Sequence, residues 1–188
     1  MKDVNKSWKE CLEIVEENIR SALAYRNITE NSRRNVKITK INRSYIFEAR
    51  GLSVEVYKLR VRNSRDLVNI RKLVYVMWKA GLRGKVFVEM GARLRLGIAR
   101  DMRPVNEAGR TWYWVRIRLD RIANKMVFGT LAHELIHCLQ AFFVGNDFLG
   151  IYAQVVEQTG YENPFERQAF AEEWRITDMI CTLPKVDF

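Results

Sequence analysis

Apolar positions change their period several times along this chain, and each change marks an element. Val4, Trp8, Cys11, Leu12, Val15, Ile19, Leu23 and Ala24 recur at three- and four-residue steps. That spacing keeps one side of a helix apolar and predicts an amphipathic helix over residues 3–27. From 35 to 62 the period falls to two: Val36 and Ile38, Tyr45 and Phe47, Val54 and Val56 alternate with polar neighbours. These pairs read as short strands with turns at Asn42-Arg43 and Gly51. Helical spacing returns at Leu67, Ile70, Val74 and Met77, with Ser64 as the expected N-cap and Gly81 or Gly84 as the stop.

Residues 85–90 and 92–100, on either side of Gly91, read as a hairpin. After a loop containing Pro104 and Gly109, residues 111–119 read as a third strand. Tyr113, Val115, Ile117 and Leu119 share one of its faces; Trp112, Trp114, Arg116 and Arg118 share the other. A long helix over 124–143, a Gly-containing loop over 145–162, and a last helix opening at Asn163-Pro164 and running to about 180 complete the chain. Strands between one helix and a later helix pair argue for an α+β fold, with a small antiparallel or mixed sheet packed on the two C-terminal helices. The expected division is an N-terminal helix-and-strand module at 1–62 and a catalytic unit at 63–188.

Composition narrows the class. With 188 residues, 48% hydrophobic, 29% charged and three Pro, the chain fits a folded globular protein and excludes a disordered or fibrous one. Cys11, Cys138 and Cys181 are odd in number and widely spaced, which excludes a disulfide framework and a thiolate zinc site and points to a reducing compartment. No apolar signal core follows Met1, and no run approaches the roughly 18 apolar residues of a membrane span, so a cytoplasmic location is expected. The net charge of +10 is uneven: residues 1–125 hold 29 Lys+Arg against 13 Asp+Glu (+16), and 126–188 hold 3 against 9 (−6). A nucleic-acid partner for the basic 1–125 segment is therefore one alternative, although no nucleic-acid motif accompanies the charge.

The chemistry concentrates in Thr130-Leu131-Ala132-His133-Glu134-Leu135-Ile136-His137-Cys138. Two imidazoles four residues apart on a helix project from one face, close enough for both to bind one tetrahedral Zn²⁺ at about 2.0–2.1 Å. Glu134, beside the first ligand, is placed to reach a zinc-activated water as general base, the HExxH arrangement of metallopeptidases. The chain contains only two His, and both fall inside this pattern. Val127, Leu131, Leu135, Cys138 and Phe142 form a separate apolar stripe that would dock the helix and leave the His face toward a cleft, with Cys138 as a small buried hydrophobe. An open catalytic site needs a third protein ligand, here a carboxylate among Asp147, Glu157, Glu162, Glu166, Glu172, Glu173, Asp178 and Asp187. Tyr161 and Tyr152 are candidate donors to a developing oxyanion. A metal-binding module without turnover is the remaining alternative.

His133-Glu134-Leu135-Ile136-His137, followed by Tyr161-Glu162-Asn163-Pro164-Phe165-Glu166-Arg167-Gln168-Ala169-Phe170, resembles the gluzincin metallopeptidases, especially the minigluzincin-like proteins. In those, an HExxH helix precedes an Asn-Pro-Phe-Glu-x-Glu-Ala segment whose first Glu completes the zinc site. The resemblance implies Glu166 as third ligand and a peptide or protein substrate. It also implies a substrate-holding edge strand at 111–119 and a latency role for the tail 184–188. Gln168 departs from the pattern, which commonly has a second Glu there. A capping box would also account for Glu166, since Asn163 suits the N-cap, Pro164 N1 and Glu166 N3; Glu173 is then the fallback ligand.

Overall fold

Helix α1 (Trp8–Leu23) begins where the chain caps it: the Ser7 hydroxyl accepts from the Glu10 N–H, and the Glu10 carboxylate accepts from the Ser7 N–H. This reciprocal pair satisfies two donors that a helix start otherwise leaves unmade. The computed structural model describes residues 7–59, 61, 63–90, 103–107, 110–117, 125–145 and 147–182; the side chains of 103–107, 110–112, 114, 116, 117, 125–127, 161 and 182 lie outside that description. Leu12, Val15, Ile19 and Leu23 are buried as their spacing predicts. The helix ends before residue 27, because a second one, α2 (Ile28–Asn35), starts after Asn27, whose φ of 61° turns the chain. Helix α3 (Ser64–Lys79) is capped by Asn63, whose side chain accepts from the Asp66 N–H, and not by Ser64.

Among the described residues, six strands form one mixed sheet: β1 (Lys37–Ile41), β2 (Ser44–Ala49), β3 (Leu52–Tyr57), β4 (Gly84–Met90), β5 (Arg103–Glu107) and β6 (Arg110–Ile117), in the order β1-β2-β3-β4-β6-β5. The first three make an antiparallel meander through turns at Asn42 (φ 51°) and Gly51 (φ 79°), as expected. Strand β4 lies parallel to both β3 and β6, so neither of its edges is open for the antiparallel partner expected at 92–100, a segment outside the described residues. The hairpin here is β5–β6, and β5 occupies the stretch around Pro104 that reads as a loop. Among the described strands β5 lies at the sheet edge, which explains how a Pro fits, since an edge strand has one side without ladder partners. With β4 and β5 on its two sides, β6 is an interior strand and not the expected edge.

Phe47, Val54, Val56, Val86, Val88, Tyr113 and Val115 from the sheet join α1, α3, α4 (Lys125–Val144), α5 (Phe148–Thr159) and α6 (Pro164–Thr182) in one apolar core. The fold is α+β. Because β3 pairs with β4, the boundary expected at 62/63 runs through the middle of this sheet and core. The 145–162 segment is not a loop: α5 and a 3-10 turn, Gly160–Glu162, fill it. Gly150 costs that helix about 1 kcal/mol relative to Ala, which burial of Phe148 and Val155 offsets. Among the described residues, no helix is long and apolar enough to cross a membrane, and Cys11, Cys138 and Cys181 are not joined to one another by disulfides.

Candidate metal centre

His133 and His137 stand one turn apart on α4 with their Nε2 atoms 3.0 Å from each other. Helix α6 brings Glu166 against them: Oε2 lies 3.3 Å from His133 Nε2, and Oε1 lies 3.2 Å from His137 Nε2. The start of α6 explains this placement. The Asn163 side chain accepts from the Phe165 N–H, and its carbonyl accepts from the Arg167 N–H, so the helix end is capped by Asn163 while both Glu166 oxygens face the imidazoles. Ligands about 2.0–2.2 Å from one ion at tetrahedral angles stand roughly 3.3–3.6 Å apart. The triangle made by these three residues is close to that size, and their donor atoms all lie within 4.8 Å of one another.

The outer edges of both rings decide which atoms face inward. His133 Nδ1 lies 3.0 Å from Glu173 Oε2, and His137 Nδ1 lies 2.8 Å from Gln140 Oε1. The Gln140 amide cannot be turned the other way round. Its Nε2 donates to the Phe165 carbonyl at 3.0 Å and to Gln168 Oε1 at 3.1 Å, so its oxygen must face the ring. Acceptors at both Nδ1 atoms hold the ring hydrogens there and turn the two Nε2 lone pairs toward each other and toward Glu166. Three acceptors pointed at one spot repel unless a cation sits among them. The residues therefore fit a metal ion.

Burial works against ionisation of Glu166, but in the metal-free centre imidazoles that carry a proton on Nε2 and donate it to the carboxylate, together with the Tyr152 hydroxyl, outweigh it and hold the carboxyl well below its usual range; a bound cation would take the place of those protons. Tyr152, on α5, donates to Glu166 Oε1 at 2.5 Å. Its ring, with Trp8, Phe148 and Phe165, belongs to an aromatic cluster under the site, and Phe170 lays an edge against His133 at 4.6 Å.

The His face, expected toward a cleft, is covered among the described residues. His133 is 0% and His137 5% exposed, because α4 is apolar on nearly all sides and α6 covers the remaining one. Glu166 and Glu173, with side chains 24% and 21% exposed, form the side of the centre nearest solvent. Glu134 is 1% exposed. Cys138, one turn along, is buried, and burial first and the Glu134 charge second push its thiol pKa up.

Of the expected site residues, His133, His137 and Glu166 come together. Glu173, the fallback ligand, instead orients His133, and Tyr152 orients Glu166. The Tyr161 side chain, the Trp112, Trp114 and Arg116 side chains, Arg118 and the tail 184–188 lie outside the described residues. Two further residues shape the centre without being marked by the motif: Gln140, whose i, i+3 relation to His137 is its only signal in sequence, and Gly129. A Cβ at Gly129 would stand 2.5 Å from Glu173 Oε1. No family model matches the chain, and neither a curated protein nor a solved structure does.

Proposed function

We propose that this protein is a zinc-dependent metallopeptidase of gluzincin type. The convergence of His133 Nε2, His137 Nε2 and Glu166, with both ring Nδ1 atoms tied to acceptors behind, carries the reading. Two nitrogens and one carboxylate make a donor set suited to Zn²⁺ with one coordination position left over. When bound, the ion would supply Lewis acidity, polarising the scissile carbonyl and stabilising negative charge on its oxygen.

The chain's own residues do the rest. His133, His137 and Glu166 hold the ion, and Glu173, Gln140 and Tyr152 keep those three in orientation. Glu134 accepts a proton from the water attacking the peptide carbonyl and returns it to the amine nitrogen as the C–N bond breaks. Its burial, with 1% of its surface exposed, places that transfer away from bulk water.

The burial of His133 and Glu134 favours a second reading, a metal-stabilised module without turnover. One substitution separates the two. In Glu134→Gln, metal content measured by elemental analysis stays at the wild-type level. Hydrolysis of a denatured protein substrate falls by about 10²–10⁴-fold if the protein is a peptidase. A wild-type protein that holds zinc and cleaves no peptide supports the module, and one that retains no metal after purification and zinc loading removes both readings.

A further inference from the structure

Strand β6 is paired on both sides, by β4 and β5, so its ladder cannot take up a substrate strand in the way expected of residues 111–119. Helix α6 offers a different surface. Glu166, Phe170 and Trp174 follow one another at four-residue steps and so lie on one side of that helix. Glu166 faces the two imidazoles, and the Phe170 ring packs on His133 with centroids 4.6 Å apart. Both aromatic side chains reach solvent, Phe170 with 49% and Trp174 with 68% of its surface exposed. Trp174 is the most exposed large apolar side chain among the described residues. Two bulky rings in succession thus leave apolar surface in water on the side of the centre nearest solvent, which marks a place where a partner is bound.

The spacing of the rings says what kind of partner fits. A helix rises about 1.5 Å per residue, so Phe170 stands about 6 Å and Trp174 about 12 Å along α6 from Glu166. In an extended peptide, side chains on one side recur every ~6.6 Å. The two repeats match. We infer that Phe170 and Trp174 form a substrate-binding strip for an extended peptide segment that carries two bulky apolar side chains two residues apart. The inference rests on the metallopeptidase reading for the position of the scissile bond, at the metal centre beside Glu166. The side chain next to that bond lies on Phe170, and the one two residues further out lies on Trp174. Each ring offers a broad apolar face and has only two side-chain torsions to fix. Exposed Ala171, beside both, presents only a methyl group, so α6 itself places no bulky side chain between the rings.

Cleavage-site mapping tests this. A mixture of denatured proteins is digested with the zinc-loaded wild type, and the cut positions are read by mass spectrometry. The expected cuts have bulky apolar residues at the first and third positions on one side of the broken bond. In a peptide built on such a site, Ala in place of either residue lowers kcat/KM about tenfold, mostly through KM. Trp174→Ser, with wild-type zinc content, loses the discrimination at the outer position. Cuts that show no such pair, or a Trp174→Ser that discriminates as the wild type does, overturn the proposal and leave the peptidase reading standing. If the wild type cuts nothing, the peptidase reading fails and the strip is decided by fluorescence anisotropy of a labelled peptide containing Phe-Ala-Phe. Binding to the zinc-loaded protein that weakens about tenfold in Trp174→Ser supports the strip; absent or equal binding overturns it. A wild-type dimer in sedimentation that Trp174→Ser makes monomeric overturns it in favour of a second copy of this chain.

Discussion

Glu173 sits two helical turns beyond Glu166 and does different work with the same functional group. Its carboxylate takes the Nδ1 hydrogen of His133 and thereby aims Nε2 at the metal position. Removing such a partner typically weakens metal binding by about 10–100-fold. Glu173→Ala is expected to show that loss in a competition titration against a chromophoric chelator. Gly129 makes room for this carboxylate, since a methyl group there would stand 2.5 Å from Oε1. Gly129→Ala is therefore expected to weaken metal binding in the same direction by displacing a flexible carboxylate. The metal-free variant should melt no lower than the wild type, because Ala favours a helix by about 1 kcal/mol over Gly. At this scale the two imidazoles and Glu134 are legible from the HExxH spacing alone. Glu173 and Gln140 are not, because a ring's outer partner is set by how α4 and α6 cross.

Helix α6 shows how an element can be read at one end and missed in its connections. Asn163-Pro164 marks its start in sequence because Asn caps and Pro has no N–H to lose. Gln168 on the same helix departs from the expected Glu, and its contacts supply the reason. Its oxygen accepts from Gln140 Nε2, while its own Nε2 donates to the Leu12 carbonyl on α1 at 2.6 Å. An amide accepts on one side and donates on the other, which an ionised carboxylate cannot do. Gln168→Glu leaves the Leu12 carbonyl without this donor and is expected to cost about 1–3 kcal/mol, lowering Tm by several degrees in a thermal melt. Helix α5 was hidden by Gly145, Gly150 and Gly160, which read as loop residues although only Gly145 and Gly160, at the helix flanks, have positive φ. It holds Tyr152 against Glu166 through aromatic packing that no local pattern announces.

Across the whole molecule, the relay from His137 through Gln140 and Gln168 to Leu12 joins the candidate centre to the N-terminal helix, and β3 joins the N-terminal meander to β4. A chain of residues 63–188 would lose α1 and three of the six strands and expose the edge of β4. It is expected to aggregate or to lack a cooperative thermal transition by circular dichroism, whereas the full chain unfolds in one step. Sequence by itself determined most of the helices and strands, the α+β class and the HExxH triplet, because period, caps and a one-turn spacing are properties of neighbouring residues. The tertiary structure alone decided the parallel joins at β4, the burial of the His face and the tautomer-setting partners of both rings. Each of these depends on residues far apart in the chain being brought to within a few ångströms, a distance that no local pattern encodes.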